Sequence, residues 1–227
     1  MKRNLTQALE SWIAAGFRSI GQITITPQSN GGYELRHAED LGREDLHLHT
    51  SADDARGLSF FDDANVYRPL KTAPTLRHGW RLLAGTAGEL RAALDHFYPS
   101  MTALWLSYLE GKLPPVPLRE TLGRQTGMYA ATKRLLDDEG QELVGKACAA
   151  SACTKRMLWP FSENQPLTQL PAEDLSCEPR VMADGSHQIP LLCHEACNIL
   201  VAACREVVKK RERAQSPQPS AASPASH

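Results

Sequence analysis

The residues best suited to chemistry are six cysteines, none of which lies before residue 148. They are Cys148, Cys153, Cys177, Cys193, Cys197 and Cys204. In a reducing compartment such thiols do not form a lasting disulfide framework. Clustered reduced cysteines are typical of a metal site, an iron–sulfur cluster or redox chemistry.

The spacing of the last three cysteines separates them into a pair and an outlier. The sequence predicts a helix from Pro190 to about Arg213, which would place Cys193 and Cys197 on one face, one turn apart. Cys204 shares this face but lies about 16 Å along the axis from Cys193 and about 10 Å from Cys197. One cluster does not span that length, so we expect Cys204 to be a packed small hydrophobic residue.

The first two cysteines form a C-x4-C pair. On a helix the thiols of Cys148 and Cys153 would point about 140° apart, so they converge only from a turn. Together with Cys193 and Cys197 they make a four-thiolate site, which suits tetrahedral zinc or a [4Fe–4S] cluster. Cys177 is either a replacement for one of the four or a spare thiol.

The choice of metal depends on spacing and surroundings. Structural zinc generally uses tighter C-x2-C pairs than those seen here. Basic side chains of Lys146, Lys155 and Arg156 flank the first pair and would offset the negative charge of a cluster. The pattern favours iron–sulfur, while a zinc-stapled, non-redox interaction module and unligated thiols stay open as alternatives.

Two cysteine-bearing segments, Gly145–Trp159 and Cys193–Asn198, resemble the [4Fe–4S] domain at the C-terminus of certain sirohydrochlorin cobaltochelatase-type proteins. Upstream segments are similar to the stabilising and linking parts of the same family: Ala55–Leu58, Tyr67–Lys71, Gly79–Trp80 and Arg124–Tyr129. The resemblance covers roughly residues 20 to 205.

The resemblance implies that Cys148, Cys153, Cys193 and Cys197 hold a [4Fe–4S] cluster. It also implies a place in sirohydrochlorin or cobalamin-type tetrapyrrole metabolism, as an electron-transfer, redox-sensing or accessory module. The chelatase domain of the family, with its metal-inserting histidines, would precede this region, so we expect no catalytic residues here. The expected partners are a separate chelatase-type subunit or a second copy of the chain, and the expected ligand is a tetrapyrrole.

Hydrophobic periodicity predicts an α+β fold. Alternating residues in Ile20–Thr26, Tyr33–His37 and Asp45–His49 indicate strands, whereas Leu5–Ala15 and the segment from Ala84 have helical periodicity. We therefore expect a stabilising-type domain over 1–115 with a small antiparallel sheet and helices. A mainly helical cluster-binding domain would follow over 116–213, and a Ser/Pro/Ala-rich disordered tail over 214–227.

Two further patterns have a functional interpretation. His47 and His49 alternate on one strand face, as in metal-dependent phosphoesterases, but the later His and Asp motifs of such a hydrolase are missing. The Tyr67–Arg81 stretch mixes aromatic residues with Arg68, Lys71, Arg77 and Arg81. It is a candidate surface for a carboxylate-rich tetrapyrrole or for a partner subunit, since Arg binds carboxylates bidentately.

Composition excludes several classes. The chain of 227 residues has a net charge of -1 and 42% hydrophobic residues, which is ordinary globular usage. A nucleic-acid binder would need a concentrated basic excess. The sequence has no run of about 18 apolar residues for a membrane span. Met1–Gln7 lacks the apolar region of a secretory signal, so we expect a cytoplasmic location.

Overall fold

The computed structural model describes residues 4–59, 76–113, 116–150, 156–157, 161–162, 179–193 and 196–215. These residues form two compact units. The first unit consists of the described residues up to 113 together with 156–157 and 179–193, and the second of 116–150, 161–162 and 196–215.

The first unit contains both helices and strands. In chain order they are α1 (Leu5–Ala14), β1 (Phe17–Ile20), β2 (Ile23–Pro27), β3 (Tyr33–His37), a 3-10 helix (Ala38–Asp40), β4 (His47–His49), α2 (Asp54–Leu58), β5 (Trp80–Ala84), α3 (Ala87–Phe97), α4 (Met101–Leu109), β6 (Arg156–Met157), β7 (Arg180–Val181), β8 (His187–Ile189) and β9 (Leu192–Cys193). The α+β class is therefore confirmed.

Seven of these strands form one sheet in the order β4-β5-β3-β2-β1-β8-β7. Neighbours pair in antiparallel fashion except at two places, where β4 runs parallel to β5 and β1 runs parallel to β8. The sheet is thus mixed, and the expectation of a purely antiparallel one was wrong. The reason is that β8 comes from far along the chain and β4 returns through α2, so neither is joined to its partner by a hairpin.

The core of the first unit lies between one face of this sheet and α1 and α3. Ile25, Leu35 and Leu82 face each other across three strands and are at most 1% exposed. Leu90 and Leu94 of α3 are also fully buried, as the helical periodicity predicted. Burial of these side chains is the main favourable contribution to the stability of the unit.

Helices α1 and α3 each begin with a capping side chain. Asn4 accepts the N–H of Thr6 at 3.0 Å at the start of α1, and Thr86 accepts the N–H of Glu89 at 3.2 Å at the start of α3. Such caps satisfy backbone donors that have no partner within the helix.

The second unit is helical over its described residues. It contains α5 (Leu118–Gly123), a 3-10 helix (Gly127–Arg134), α6 (Asp137–Ala150) and α7 (Asn198–Gln215). Leu118, Leu122, Leu135 and Val144 are buried in this unit, together with Phe161. Among the described residues of both units, no helix is long and apolar enough to cross a membrane.

Candidate functional site

Cys197 lies at the start of α7 and acts as its N-terminal cap. Its carbonyl accepts the N–H of Val201 at 3.0 Å, and its Sγ accepts the N–H of Leu200 at 3.4 Å. The N-terminal end of a helix stabilises negative charge, and an N–H donor to sulfur adds to this. The backbone therefore provides Cys197 with an environment that suits a thiolate ligand.

Cys193 lies in a different element from the one predicted. It is the last residue of β9, which pairs in parallel with β6 so that Cys193 stands opposite Met157. The prediction of one continuous helix from Pro190 was wrong, because the helix begins only at Asn198. The argument that placed Cys193 and Cys197 one helical turn apart therefore does not hold, although the side chains of both are half-buried rather than sealed in a core.

Cys148 lies in the last turn of α6, two residues before the helix ends at Ala150. The start of α6 lies beside the end of α7, where Arg211 pairs with Glu139.

The contact between the start of α6 and the end of α7 is held by a group of ion pairs. Arg134 of the 3-10 helix forms two hydrogen bonds with Glu212, at 2.6 and 3.2 Å, and the guanidinium of Arg211 also donates to the Arg134 carbonyl at 2.6 Å. Pairing with Glu212 raises the pKa of Arg134 above its usual range. The Arg134–Glu212 pair is exposed and therefore contributes more to alignment than to stability, whereas the side chains of Arg211 and Glu139 are half-buried.

Cys204 has the properties expected of a packed residue. It is fully buried in the second unit, and burial raises the pKa of its thiol to about 12. Such a thiol stays protonated at neutral pH and is a poor metal ligand. The remaining two cysteines, Cys153 and Cys177, lie outside the described residues, as does most of the Trp159–Pro190 segment.

These residues fit an iron–sulfur cluster in their chemistry. Thiolates are the donors that such clusters take, and Cys197 adds a backbone N–H aimed at its sulfur. Cys193 and Cys197 are both accessible enough to reach a ligand, whereas Cys204 is not.

The histidines of β4 do not form a metal site within the described residues. The rings of His47 and His49 lie with centroids 4.7 Å apart, and His49 Nδ1 is 3.6 Å from Asp54 Oδ2. A group of three potential metal ligands does occur in the described residues, but it consists of His37, Glu39 and His78. The sequence did not predict this group because His37 and His78 are 41 positions apart and no motif joins them.

The proposed basic and aromatic patch is only partly described. Tyr67, Arg68 and Lys71 lie outside the described residues. Trp80 is 1% exposed and stacks on Phe97 with ring centroids 5.1 Å apart, so it belongs to the core and not to a ligand-binding surface. The alternation of β5 explains this, because Trp80 shares the inner face with Leu82 and Ala84.

Comparisons with known proteins divide the chain into two parts. Residues 5–108 match the model of the DR2241 stabilising domain, and residues 110–206 match that of the 4Fe-4S iron-sulfur cluster binding domain. The search of curated proteins gave no significant match.

A solved structure is similar over most of the chain. It is the crystal structure of DR2241 from Deinococcus radiodurans, described as a multi-domain protein with structural similarity to chelatases and with two additional novel domains. The TM-score is 0.66 at 29% sequence identity over 91% of this chain, which spans 41% of the length of the Deinococcus protein. The chain therefore combines a stabilising domain of the DR2241 type with a [4Fe–4S] cluster-binding domain.

Proposed function

We propose that this chain is a redox or accessory module of chelatase-type tetrapyrrole metabolism, and that Cys148, Cys153, Cys193 and Cys197 hold its [4Fe–4S] cluster. The observation that supports the ligand set best is the environment of Cys197. Its sulfur accepts the N–H of Leu200 at 3.4 Å at the start of α7, inside the residues that match the cluster-binding domain.

The surroundings of the cysteines support this choice of ligands. All six cysteines lie within residues 110–206, so the match alone does not select among them. Burial removes Cys204 from consideration, and the N–H of Leu200 directed at Cys197 supports that residue as a ligand. The family resemblance selects Cys148, Cys153 and Cys193 from the rest.

A [4Fe–4S] cluster supplies one-electron chemistry, and the protein around it sets the potential. Hydrogen bonds to the ligand sulfurs and exposure to solvent are the main influences on that potential. The N–H of Leu200 is one such hydrogen bond, and the half-buried state of Cys193 and Cys197 is compatible with electron exchange with a partner.

The link to tetrapyrrole metabolism rests on the Deinococcus protein. That protein is described as similar in structure to chelatases, and this chain corresponds to 41% of its length. We infer that the chain works with a sirohydrochlorin chelatase-type subunit or with a second copy of itself. A cluster beside such a subunit would serve as an electron carrier or a redox sensor.

Iron binding tests the ligand set. The anaerobically purified protein should show a broad absorption band near ~400 nm, which zinc-loaded or empty thiols lack. Cys→Ala at any of Cys148, Cys153, Cys193 or Cys197 should remove most of the iron and sulfide, because a cluster missing one thiolate is exposed and labile.

Cys204→Ala is the matched control, since it removes a thiol from the same helical unit. It should keep iron content near that of the unmodified protein. Loss of iron in Cys204→Ala with retention in Cys197→Ala would contradict the ligand assignment, and a colourless, zinc-containing protein would contradict the cluster itself.

Association tests the proposed role. The protein, alone and mixed with a sirohydrochlorin chelatase-type subunit, is examined by size-exclusion chromatography with light scattering. We expect a dimer or a mixed complex at tens of micromolar. A strictly monomeric protein with no binding would reject the accessory role while leaving the cluster assignment intact.

A further inference from the structure

Two segments of the first unit meet at the end of β3. His37 is the last residue of β3, Glu39 lies in the 3-10 helix that follows, and His78 lies two residues before β5. One ligand atom from each of these three residues lies within 4.8 Å of the other two. The rings of His37 and His78 have centroids 4.0 Å apart, and His78 Nε2 is 3.8 Å from Glu39 Oε2.

One of these side chains is buried with a polar atom left unused. His37 is 1% exposed, and its Nδ1 accepts the N–H of Glu39 at 3.2 Å. Its Nε2 is buried and has no hydrogen-bond partner among the described residues. Buried polar atoms without partners are rare and costly, so a buried imidazole with an unused nitrogen beside two other ligand groups is a specific feature.

The segment that carries His78 is held rigidly in place. The N–H of Gly79 donates to Asp40 Oδ2 at 2.7 Å, and its carbonyl accepts the N–H of His47 at 2.9 Å. Gly79 has a φ of 84°, a left-handed conformation that favours glycine. Leu76 is tied as well, since its N–H donates to Gln22 Oε1 at 3.0 Å. His78 is thus positioned by backbone hydrogen bonds on both sides.

A second carboxylate lies behind the cluster. Asp40 is buried, and its Oδ1 is 4.0 Å from His78 Nδ1, on the opposite side of the ring from Glu39. The Asp40 carboxylate accepts the N–H of Gly79 at 2.7 Å and a guanidinium N–H of Arg43 at 2.9 Å. A carboxylate behind a histidine is the usual support of a metal-bound imidazole.

The geometry points to a binding site for a divalent transition-metal ion, with Zn²⁺ as the representative, formed by His37, Glu39 and His78. Two imidazoles and one carboxylate are ligands that zinc prefers, and three protein ligands leave a fourth position for water or an exchangeable group. Metal binding at His37 Nε2 places the ring proton on Nδ1, so the hydrogen bond that Nδ1 accepts from the Glu39 N–H has to break when the metal binds.

The distances require only a small closure. A tetrahedral zinc site with bonds of about 2.0–2.2 Å has its donor atoms about 3.3 Å apart. His78 Nε2 and Glu39 Oε2 are already 3.8 Å apart, and the Glu39 side chain is 75% exposed, so it can rotate inward.

Zinc titration of the cluster-loaded full chain tests the site, with the histidine ring nitrogens observed by ¹⁵N NMR. This readout separates the site from thiols that also bind zinc. We expect Zn²⁺ to shift the ring signals of His37 and His78 and to leave those of His47 unchanged. His78→Ala and Glu39→Gln should weaken zinc binding at these signals by at least about tenfold.

Two matched controls change the same residue types outside the cluster. His47→Ala removes an exposed histidine, and Glu44→Gln neutralises an exposed carboxylate five residues after Glu39. Both should bind zinc as the unmodified protein does. Unchanged ring signals of His37 and His78 at saturating zinc, or equal affinity in Glu39→Gln and the unmodified protein, would overturn the proposal. Neither outcome depends on the iron–sulfur cluster.

Discussion

Gly140 of α6 lies in contact with the ring of Phe161, so adding one methyl group there should destabilise the second unit. A Cβ built on Gly140 would be 2.0 Å from Phe161 Cζ and 2.1 Å from Cε2. Phe161 is fully buried, and its carbonyl accepts the N–H of Arg119 at 2.9 Å, so neither its ring nor its backbone has an easy way to move.

The magnitude follows from two opposing effects. Glycine to alanine in a helix normally stabilises by up to about 1 kcal/mol. Overpacking a well-packed core normally costs about 1–3 kcal/mol. Because the contact at Gly140 is far inside van der Waals distance, we expect the overpacking cost to exceed the gain in helix propensity. Gly140→Ala should lower the free energy of unfolding of the second unit by about 1–2 kcal/mol.

The assay is anaerobic urea unfolding followed by circular dichroism, together with iron content. Gly123→Ala is the control in the same unit, because a Cβ there meets nothing within 4 Å. It should change stability by less than about 0.5 kcal/mol. Since α6 carries Cys148, Gly140→Ala should also lower cluster occupancy, whereas Gly123→Ala should not.

A double-mutant cycle tests whether the destabilisation by Gly140→Ala comes from its contact with the Phe161 ring. Phe161→Leu shortens the side chain, so Gly140→Ala should cost less in the Phe161→Leu background than alone, with a coupling of about 1 kcal/mol or more. If Gly140→Ala is as stable as the unmodified protein, or if the cycle shows no coupling, the packing argument for this end of α6 is refuted.

Three further predictions concern titration, cluster loss and thiol reactivity. Burial raises the pKa of Tyr98 to about 12 although its Oη accepts the N–H of Gln22 at 2.8 Å. The unfolded chain therefore loses the phenol proton first as pH rises above ~10, and stability falls. Between pH 8 and 11 the unmodified protein should lose about 1.4 kcal/mol more than Tyr98→Phe in urea unfolding, and equal losses would contradict the burial of the phenol. Removal of iron by a chelator should expose residues 116–150 to limited proteolysis while residues 4–59 stay protected, because cluster binding contributes folding free energy; equal protection in the iron-free protein would contradict this. Iodoacetamide at pH 8 should leave Cys204 unmodified in the native protein and alkylate it in urea, as read by peptide mass spectrometry, since its thiol is buried and protonated. Native alkylation of Cys204 would show that α7 is not packed as described.

Local patterns were enough to predict several elements of the first unit. Helical spacing predicted α3, and its apolar positions Leu90 and Leu94 are buried as expected. Alternation predicted β3, which runs from Tyr33 to His37. These predictions succeed because the period of apolar residues depends only on local geometry, so nearby residues carry all the information.

The C-terminal part shows where local patterns fail. A helix was expected from Pro190 because proline suits the first turn of a helix, yet Leu192 and Cys193 pair with Arg156 and Met157 in a parallel ladder. In the same way, β1 pairs in parallel with β8, with Ile20 opposite Ile189. Pairing between strands this far apart in sequence does not change the pattern of apolar residues in either segment. The sequence alone therefore favoured a helix after Pro190 and an antiparallel sheet.

The candidate site likewise has features that the sequence predicted and features that only the tertiary structure shows. The number, type and clustering of the cysteines predicted a thiolate-bound metal site and favoured an iron–sulfur cluster over zinc, because soft thiolate donors select these cofactors. Only the tertiary structure made Cys197 a helix cap and placed His37 beside His78, whereas the burial of Cys204 was already expected from its spacing. Residue types determine which ligand a protein can bind, but distance and burial depend on packing between segments remote in sequence, and these decide which residues meet.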